Sequence, residues 1–115
     1  MNILKALFSS PPSLSVSEVK EKLASKNASF LIDVRQPNEF RQSHIKGAKL
    51  IPLQDLRHRM EELPQDREIV CICRSGARSR SAVRHLNNSG YTSFNVQGGM
   101  IAWQRAGLPT KKGHR

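Results

Sequence analysis

One short run constrains this chain more than any other. In Glu68-Ile69-Val70-Cys71-Ile72-Cys73, five apolar residues follow one another with no polar position between them. That is the pattern of a strand covered on both faces rather than on one. Such a strand needs a layer above and a layer below, and the rest of the sequence supplies them. Phe30-Leu31-Ile32-Asp33-Val34-Arg35 repeats the pattern and ends in charge, while Ala48 to Ile51 and Thr92 to Val96 read as two further strands.

Helical patterns fill the gaps between these strands. Ser15-Val16-Ser17-Glu18 has capping-box spacing and opens a helix to about Leu23. Pro37 suits the first turn of a short helix through Phe40. Leu53, Leu56, Met60 and Leu63 recur at helical spacing and predict an amphipathic helix ended by Pro64. A further helix is expected from about Arg78 to Asn88, with Ala82, Val83 and Leu86 inward and Gly90 past its end. Gly98-Gly99 turns into a last one, whose Met100 and Trp103 are core contacts. The alternation implies an α/β fold with a largely parallel sheet. In such sheets ligands sit outside the carboxyl ends of the strands. Asp33-Val34-Arg35, Cys73 with its following loop, and Gln97-Gly98-Gly99 all fall there, so chemistry is expected on that one rim.

Composition narrows the class. With 115 residues, 37% hydrophobic and 24% charged, the chain is one compact domain rather than a disordered segment. No apolar stretch is long enough to cross a bilayer. Two cysteines exclude a disulfide-stapled miniprotein, and the four histidines lack zinc-ligand spacing. A net charge of +10 favours anionic partners. One Trp, one Tyr and no nucleic-acid motif point to a generally cationic surface rather than a nucleic-acid reader. Residues 1–13 read as a loose arm; Ile3, Leu4, Leu7 and Phe8 share one helical face, so a membrane-surface helix is the alternative. Lys5 breaks that stretch, which is too short for a secretory signal, so the cytoplasm is the expected location and both thiols are expected to stay reduced. Residues 110–115 read as a solvated basic tail.

The loop Cys73-Arg74-Ser75-Gly76-Ala77-Arg78-Ser79 has the residue types of an anion cradle. Gly76, with the small Ser75 and Ala77 beside it, lets successive backbone N–H groups curl toward one point, and the helix start behind them adds positive potential. Arg74, Arg78, Arg80 and Arg84 contribute charge, with no carboxylate among residues 74 to 84. A thiol placed there favours its thiolate and suits attack on an anionic electrophile. Cys71, in mid-strand between Val70 and Ile72, has nothing nearby to activate it and reads as an inert core residue. Asp33 and Arg35 share the rim. Either they brace the loop or orient a donor, or Asp33 caps the next turn and Arg35 is a surface residue.

The sequence resembles the rhodanese-like (thiosulfate sulfurtransferase) family in its single-domain form, over about Leu14 to Pro109. The resemblance rests on Leu31-Ile32-Asp33-Val34-Arg35, Glu39-Phe40, His44-Ile45-Lys46-Gly47-Ala48, Ile51-Pro52, the Cys73 to Ser79 loop, Gly98-Gly99-Met100, Trp103 and Gly107-Leu108-Pro109. It implies a three-layer fold, with a central parallel sheet of about five strands between helices. It also implies that Cys73 takes sulfane sulfur from thiosulfate or a related small anionic donor. The resulting persulfide would pass that sulfur to cyanide, a small thiol or a protein cysteine. Backbone N–H groups from Arg74 to Ser79 would bind the terminal sulfur and the departing anion. No metal or organic cofactor is implied, because the nucleophile itself carries the sulfur. His44 looks structural in this family, holding the turn before Ile45 and Gly47.

Four residues separate Cys73 from Arg78, as in members that handle sulfur; phosphatases of the same fold have a loop one residue longer. Ala77 departs from the family, where a polar side chain, often Asn, is common, and this bears on donor preference. Two alternatives to a sulfurtransferase stay open: a sulfur-relay or protein-binding module with little turnover, and a phosphatase or arsenate reductase using the same cysteine.

Overall fold

The computed structural model describes residues 11–115; the arm face formed by Ile3, Leu4, Leu7 and Phe8 lies outside the described residues. Five strands, β1 (Ser13–Leu14), β2 (Phe30–Asp33), β3 (Lys49–Leu50), β4 (Ile69–Ile72) and β5 (Ser93–Val96), form one sheet. Their order is β1-β5-β4-β2-β3, and every neighbouring pair is parallel. Helices α1 (Val16–Ala24), α2 (Pro37–Gln42), α3 (Ala77–Asn88) and α4 (Gly99–Arg105) complete the three-layer α/β architecture that the alternating pattern predicts.

The central position of β4 explains its sequence. Ile69, Cys71 and Cys73 join the cluster that holds Ala82, Val83 and Leu86 of α3. Val70 and Ile72 join the opposite one, with Val19 of α1 and Met100 and Trp103 of α4. Both faces are covered, so neither leaves room for a polar position.

Three features differ from expectation or go beyond it. First, the segment expected as one amphipathic helix is two 3₁₀ turns, Leu53–His58 and Met60–Glu62. With three residues per turn, Leu53 and Leu56 line up on one side, as do Met60 and Leu63. The four-residue step between Leu56 and Met60, which reads as α-helical spacing, is taken up by a kink at Arg59 (φ −120°, ψ 15°). Second, Ser13–Leu14 is a strand, so Ser13 belongs to the sheet. β5 holds it through Asn95 N–H to Pro12 C=O at 2.8 Å and Gln97 N–H to Leu14 C=O at 2.8 Å. Two residues after a Pro-Pro pair carry no readable strand signal. Third, Lys111 is drawn into a two-residue bridge with His44, its N–H 2.8 Å from the His44 carbonyl, and Gly113 N–H reaches Arg41 C=O at 2.9 Å. His44 is fully buried, stacked on Phe40, with Nδ1 2.8 Å from the Phe40 carbonyl oxygen, which is a structural role.

The topology also locates the rim where ligands should bind. From β2 the chain moves outward to β3; from β4 it moves the other way, to β5. The crevice beyond the carboxyl ends of β2 and β4 is therefore the switch point of the sheet.

Candidate active site

Cys73 is the first residue past β4, and the loop it begins closes on it. Gly76 stands at φ +119°, a conformation open to glycine but strained for any residue with a Cβ, and caps α3. The turn this allows brings the Gly76 N–H to 3.1 Å and the Ser79 N–H to 3.4 Å from Cys73 Sγ. The Ser79 hydroxyl lies 3.3 Å from the same sulfur. The residue is recessed, with about 1% of its surface exposed. Burial works to raise its thiol, but hydrogen bonding from Ser79, Gly76 and Ser75 outweighs it, leaving the thiol below its ordinary value.

The loop is held from behind by α4. Met100 N–H donates to Cys73 C=O at 2.8 Å, and Ile101 N–H to Arg74 C=O at 3.1 Å. This approach requires Gly99. A Cβ there would stand 2.4 Å from the Cys73 carbonyl oxygen and 2.6 Å from that of Arg74. Of the Gly98-Gly99 pair seen in the sequence, Gly99 thus serves the site through close backbone contact.

The side chains of the loop divide. Ser79 is fully buried beside the sulfur, whereas Arg74, Ser75 and Ala77 are exposed on the rim. Arg80 folds back over Gly76. Arg78 does not turn toward the sulfur. Its Nη1 and Nη2 grip Glu39 of α2 at 2.7 and 2.9 Å, and this two-pronged contact holds the Glu39 carboxyl down at about 2. The run of uncompensated arginines read along the loop is therefore compensated in space at Arg78. Glu39 escapes sequence reasoning about charge, because it lies 39 residues away.

Asp33 and Arg35 form a buried pair at 2.7 Å, with three N–H···O contacts between the side chains. Arg35 is only 5% exposed, which corrects the surface-arginine reading. Asp33 also accepts the Arg35 backbone N–H at 3.1 Å, so it does cap the strand end. Arg35 Nη2 donates to Ser43 C=O at 2.6 Å. The pair ties the end of β2 to the end of α2, beside the loop rather than in contact with the sulfur. A cleft of about 260 Å³ opens there, lined among others by Arg35, Glu39, Arg74, Ile101 and Gln104. A larger hollow of about 680 Å³, lined by Lys26, Asn27, Asp66 and Arg67, belongs to the loops that precede β2 and β4, at the other end of the sheet.

Asn95 on β5 is the neighbour that sequence reasoning missed. It is 2% exposed, and its Oδ1 accepts from the Ser79 hydroxyl. The available signal was an amide side chain near the carboxyl end of a strand of a buried parallel sheet, on the rim where ligands are expected. Cys71, by contrast, sits one layer deeper on the same face; burial, with a smaller contribution from Cys73, pushes its thiol far up.

Known proteins share this fold. The family model described as rhodanese-like domain matches residues 15–106. A sulfurtransferase of Allochromatium vinosum is 42% identical over 92 residues, covering 79% of this chain and 86% of that one. A rhodanese-related protein from Thermoplasma volcanium superposes with a TM-score of 0.81 at 30% identity, over 87% of this chain and 97% of that one. The thiosulfate sulfurtransferase of Pseudomonas aeruginosa has a TM-score of 0.81 at 27% identity, over 90% of this chain and 20% of that longer one.

Proposed function

The chain belongs to the rhodanese-like family, and on that premise we propose that it is a sulfurtransferase in which Cys73 carries the sulfur. The Cys73 thiolate attacks the outer sulfur of thiosulfate or a related anionic donor. Its electron pair forms the new S–S bond, the old S–S bond breaks, and sulfite leaves with that bond's pair. The outer sulfur of the Cys73 persulfide is then attacked by cyanide, a small thiol or a protein cysteine, and the thiolate is regenerated. The unit from 14 to 109 performs the reaction, and the cytoplasm, where thiols stay reduced, is its setting.

One observation carries this reading: the amides of Gly76 and Ser79 converge on Cys73 Sγ at 3.1 and 3.4 Å. Donors fixed in that way hold a negative sulfur without reorganising, as an oxyanion hole does. With Arg78 engaged by Glu39, the main chain from Arg74 to Ser79 is the principal anion cradle. Exposed Arg74 and Arg80 supply long-range attraction for the donor. Asp33 and Arg35 support the rim from outside the cradle. Ala77, exposed on the loop, offers no side-chain hydrogen bond to a donor anion, which favours compact donors held by backbone.

The test is incubation of the reduced protein with thiosulfate, followed by intact-mass analysis. A sulfur-sized gain that is lost on reduction and absent from Cys73→Ser is expected. No gain with thiosulfate or any other common sulfane-sulfur donor would overturn the proposal, and rapid hydrolysis of an aryl phosphate would favour the phosphatase alternative.

A further inference from the structure

The Ser79 hydroxyl has one proton and three neighbours within reach. Cys73 Sγ is at 3.3 Å, Gly76 C=O at 3.2 Å and Asn95 Oδ1 at 2.5 Å. The shortest contact is to Asn95, and both side chains are buried. Asn95 is itself held from two sides. Its backbone N–H donates to Pro12 C=O at 2.8 Å, and its Nδ2 donates to Ser13 Oγ at 3.1 Å, which leaves Oδ1 facing Ser79. A hydroxyl whose proton lies on Asn95 has only lone pairs left for Cys73. A thiol S–H can use those; a thiolate cannot.

We propose that Asn95 is a positioning residue for the nucleophile: by drawing the Ser79 proton onto its Oδ1, it makes that hydroxyl an acceptor toward Cys73 and leaves the thiolate to the backbone amides. This rests on the reading of Cys73 as the sulfur carrier. It also gives the arrangement a purpose. In a persulfide the charge sits on the outer sulfur, so a Ser79 proton pinned on Sγ would favour the empty cysteine over the loaded one. Asn95 removes that bias. The edge strand β1, through Ser13, becomes the far end of a chain that runs Ser13–Asn95–Ser79–Cys73.

The test is the pH dependence of iodoacetamide alkylation at Cys73, resolved by mass spectrometry, in the full chain. Asn95→Val keeps a strand-compatible side chain and frees the Ser79 proton for sulfur. The alkylation midpoint should fall by about one pH unit, the effect of one added charge-assisted hydrogen bond. Asn95→Ala should act in the same direction. Ser13→Ala alters only an exposed edge residue and should lower the midpoint by less, because it lets the Asn95 amide turn. Adding Asn95→Val to Ser79→Ala should change nothing. An unchanged or raised midpoint in the folded Asn95 variants overturns the proposal, as does a fall that persists without the Ser79 hydroxyl. Should neither Asn95 variant fold, an unchanged midpoint in Ser13→Ala overturns it. A wild-type midpoint at the ordinary cysteine value would instead sink the nucleophile reading itself.

Discussion

Cys71 and Cys73 stand two residues apart, on the same face of the central sheet and in the same apolar cluster, and both are almost wholly buried. Their thiols are nevertheless pushed in opposite directions, Cys71 up and Cys73 down. Burial alone raises both. The difference lies in where the strand ends. Within β4 the backbone N–H groups are spent on β2 and β5, so Cys71 has no donor to spare. One residue past Ile72 the chain leaves the ladder, and Gly76 turns it so that amides already free at the start of α3 point back at sulfur. The contrast between the two thiols is a property of the position at the end of the strand, not of cysteine or of burial.

The most severe way to break that comparison is to exchange the roles of the two thiols. Cys73→Ser should lower sulfur transfer by at least about a thousandfold while leaving the melting temperature near that of the parent. Cys71→Ala should do the reverse, keeping turnover within about twofold and costing about 1–2 kcal/mol from the lost buried volume. Turnover and thermal melting of the two variants side by side check both. A large activity loss in folded Cys71→Ala would mean that the deeper thiol takes part.

Next in size is the support for the cradle. Gly99→Ala drives a Cβ into the carbonyls of Cys73 and Arg74, which are backbone and cannot swing aside. It should cost about 3 kcal/mol or more and reduce turnover along with it. Gly76→Ala is milder. The Cβ meets only the far end of Arg80, at 2.8 Å, so the cost comes from the +119° φ and should be about 1–3 kcal/mol. Because the same residue aims an amide at sulfur, turnover should fall by about tenfold to a hundredfold.

How much of this was legible without coordinates follows from the range of each interaction. The four α-helices, four of the five strands and the Cys73 to Ser79 loop are written in local patterns, and a local pattern was enough to find them. The contrast between the two cysteines was legible for the same reason, since it depends on where one strand stops. The 3₁₀ turns from Leu53 to Glu62 were not, because spacings of three and four mimic an α-helix until the kink at Arg59 is seen. Nor was β1, whose two residues are strand only because β5 offers them a partner. The partners of the loop are the clearest case. Arg78 meets Glu39 across 39 residues and Ser79 meets Asn95 across 16, so a run of positive charge reads as uncompensated when it is not.

The comparison sharpens further when the two thiols compete for one reagent. Titrated with iodoacetamide under native conditions, Cys73 should become modified with a midpoint below that of a free cysteine, because its thiolate fraction rises from lower pH. Cys71 should stay unmodified throughout the range in which the fold persists. Modification of both at similar rates, resolved by peptide mass analysis, would mean that the amide cradle does not distinguish them.

The smallest effect concerns the pair that steadies the loop from α2. Hydrogen bonds from Arg78 hold the Glu39 carboxyl down to about 2, against an ordinary value of 4.5. A carboxylate depressed in the folded state contributes stability that is present above the unfolded value and lost as the pH falls through the folded one, here from about 5 toward about 2. The full shift converts to about 3 kcal/mol, but solvent reaches both side chains, and screening leaves about 1 kcal/mol. Glu39→Gln should therefore lower stability by about 1 kcal/mol at pH 7 and flatten the acid limb of the stability curve. Denaturant melts at pH 7, 5 and 3 read this directly, and a variant whose loss is as large at pH 3 as at pH 7 would show that packing rather than charge accounts for it. Cys73 should be nearly indifferent to the change. Its donors are backbone amides, and freeing Arg78 adds one mobile cation at the rim rather than a hydrogen bond at sulfur, so the alkylation midpoint should move by no more than a few tenths of a pH unit.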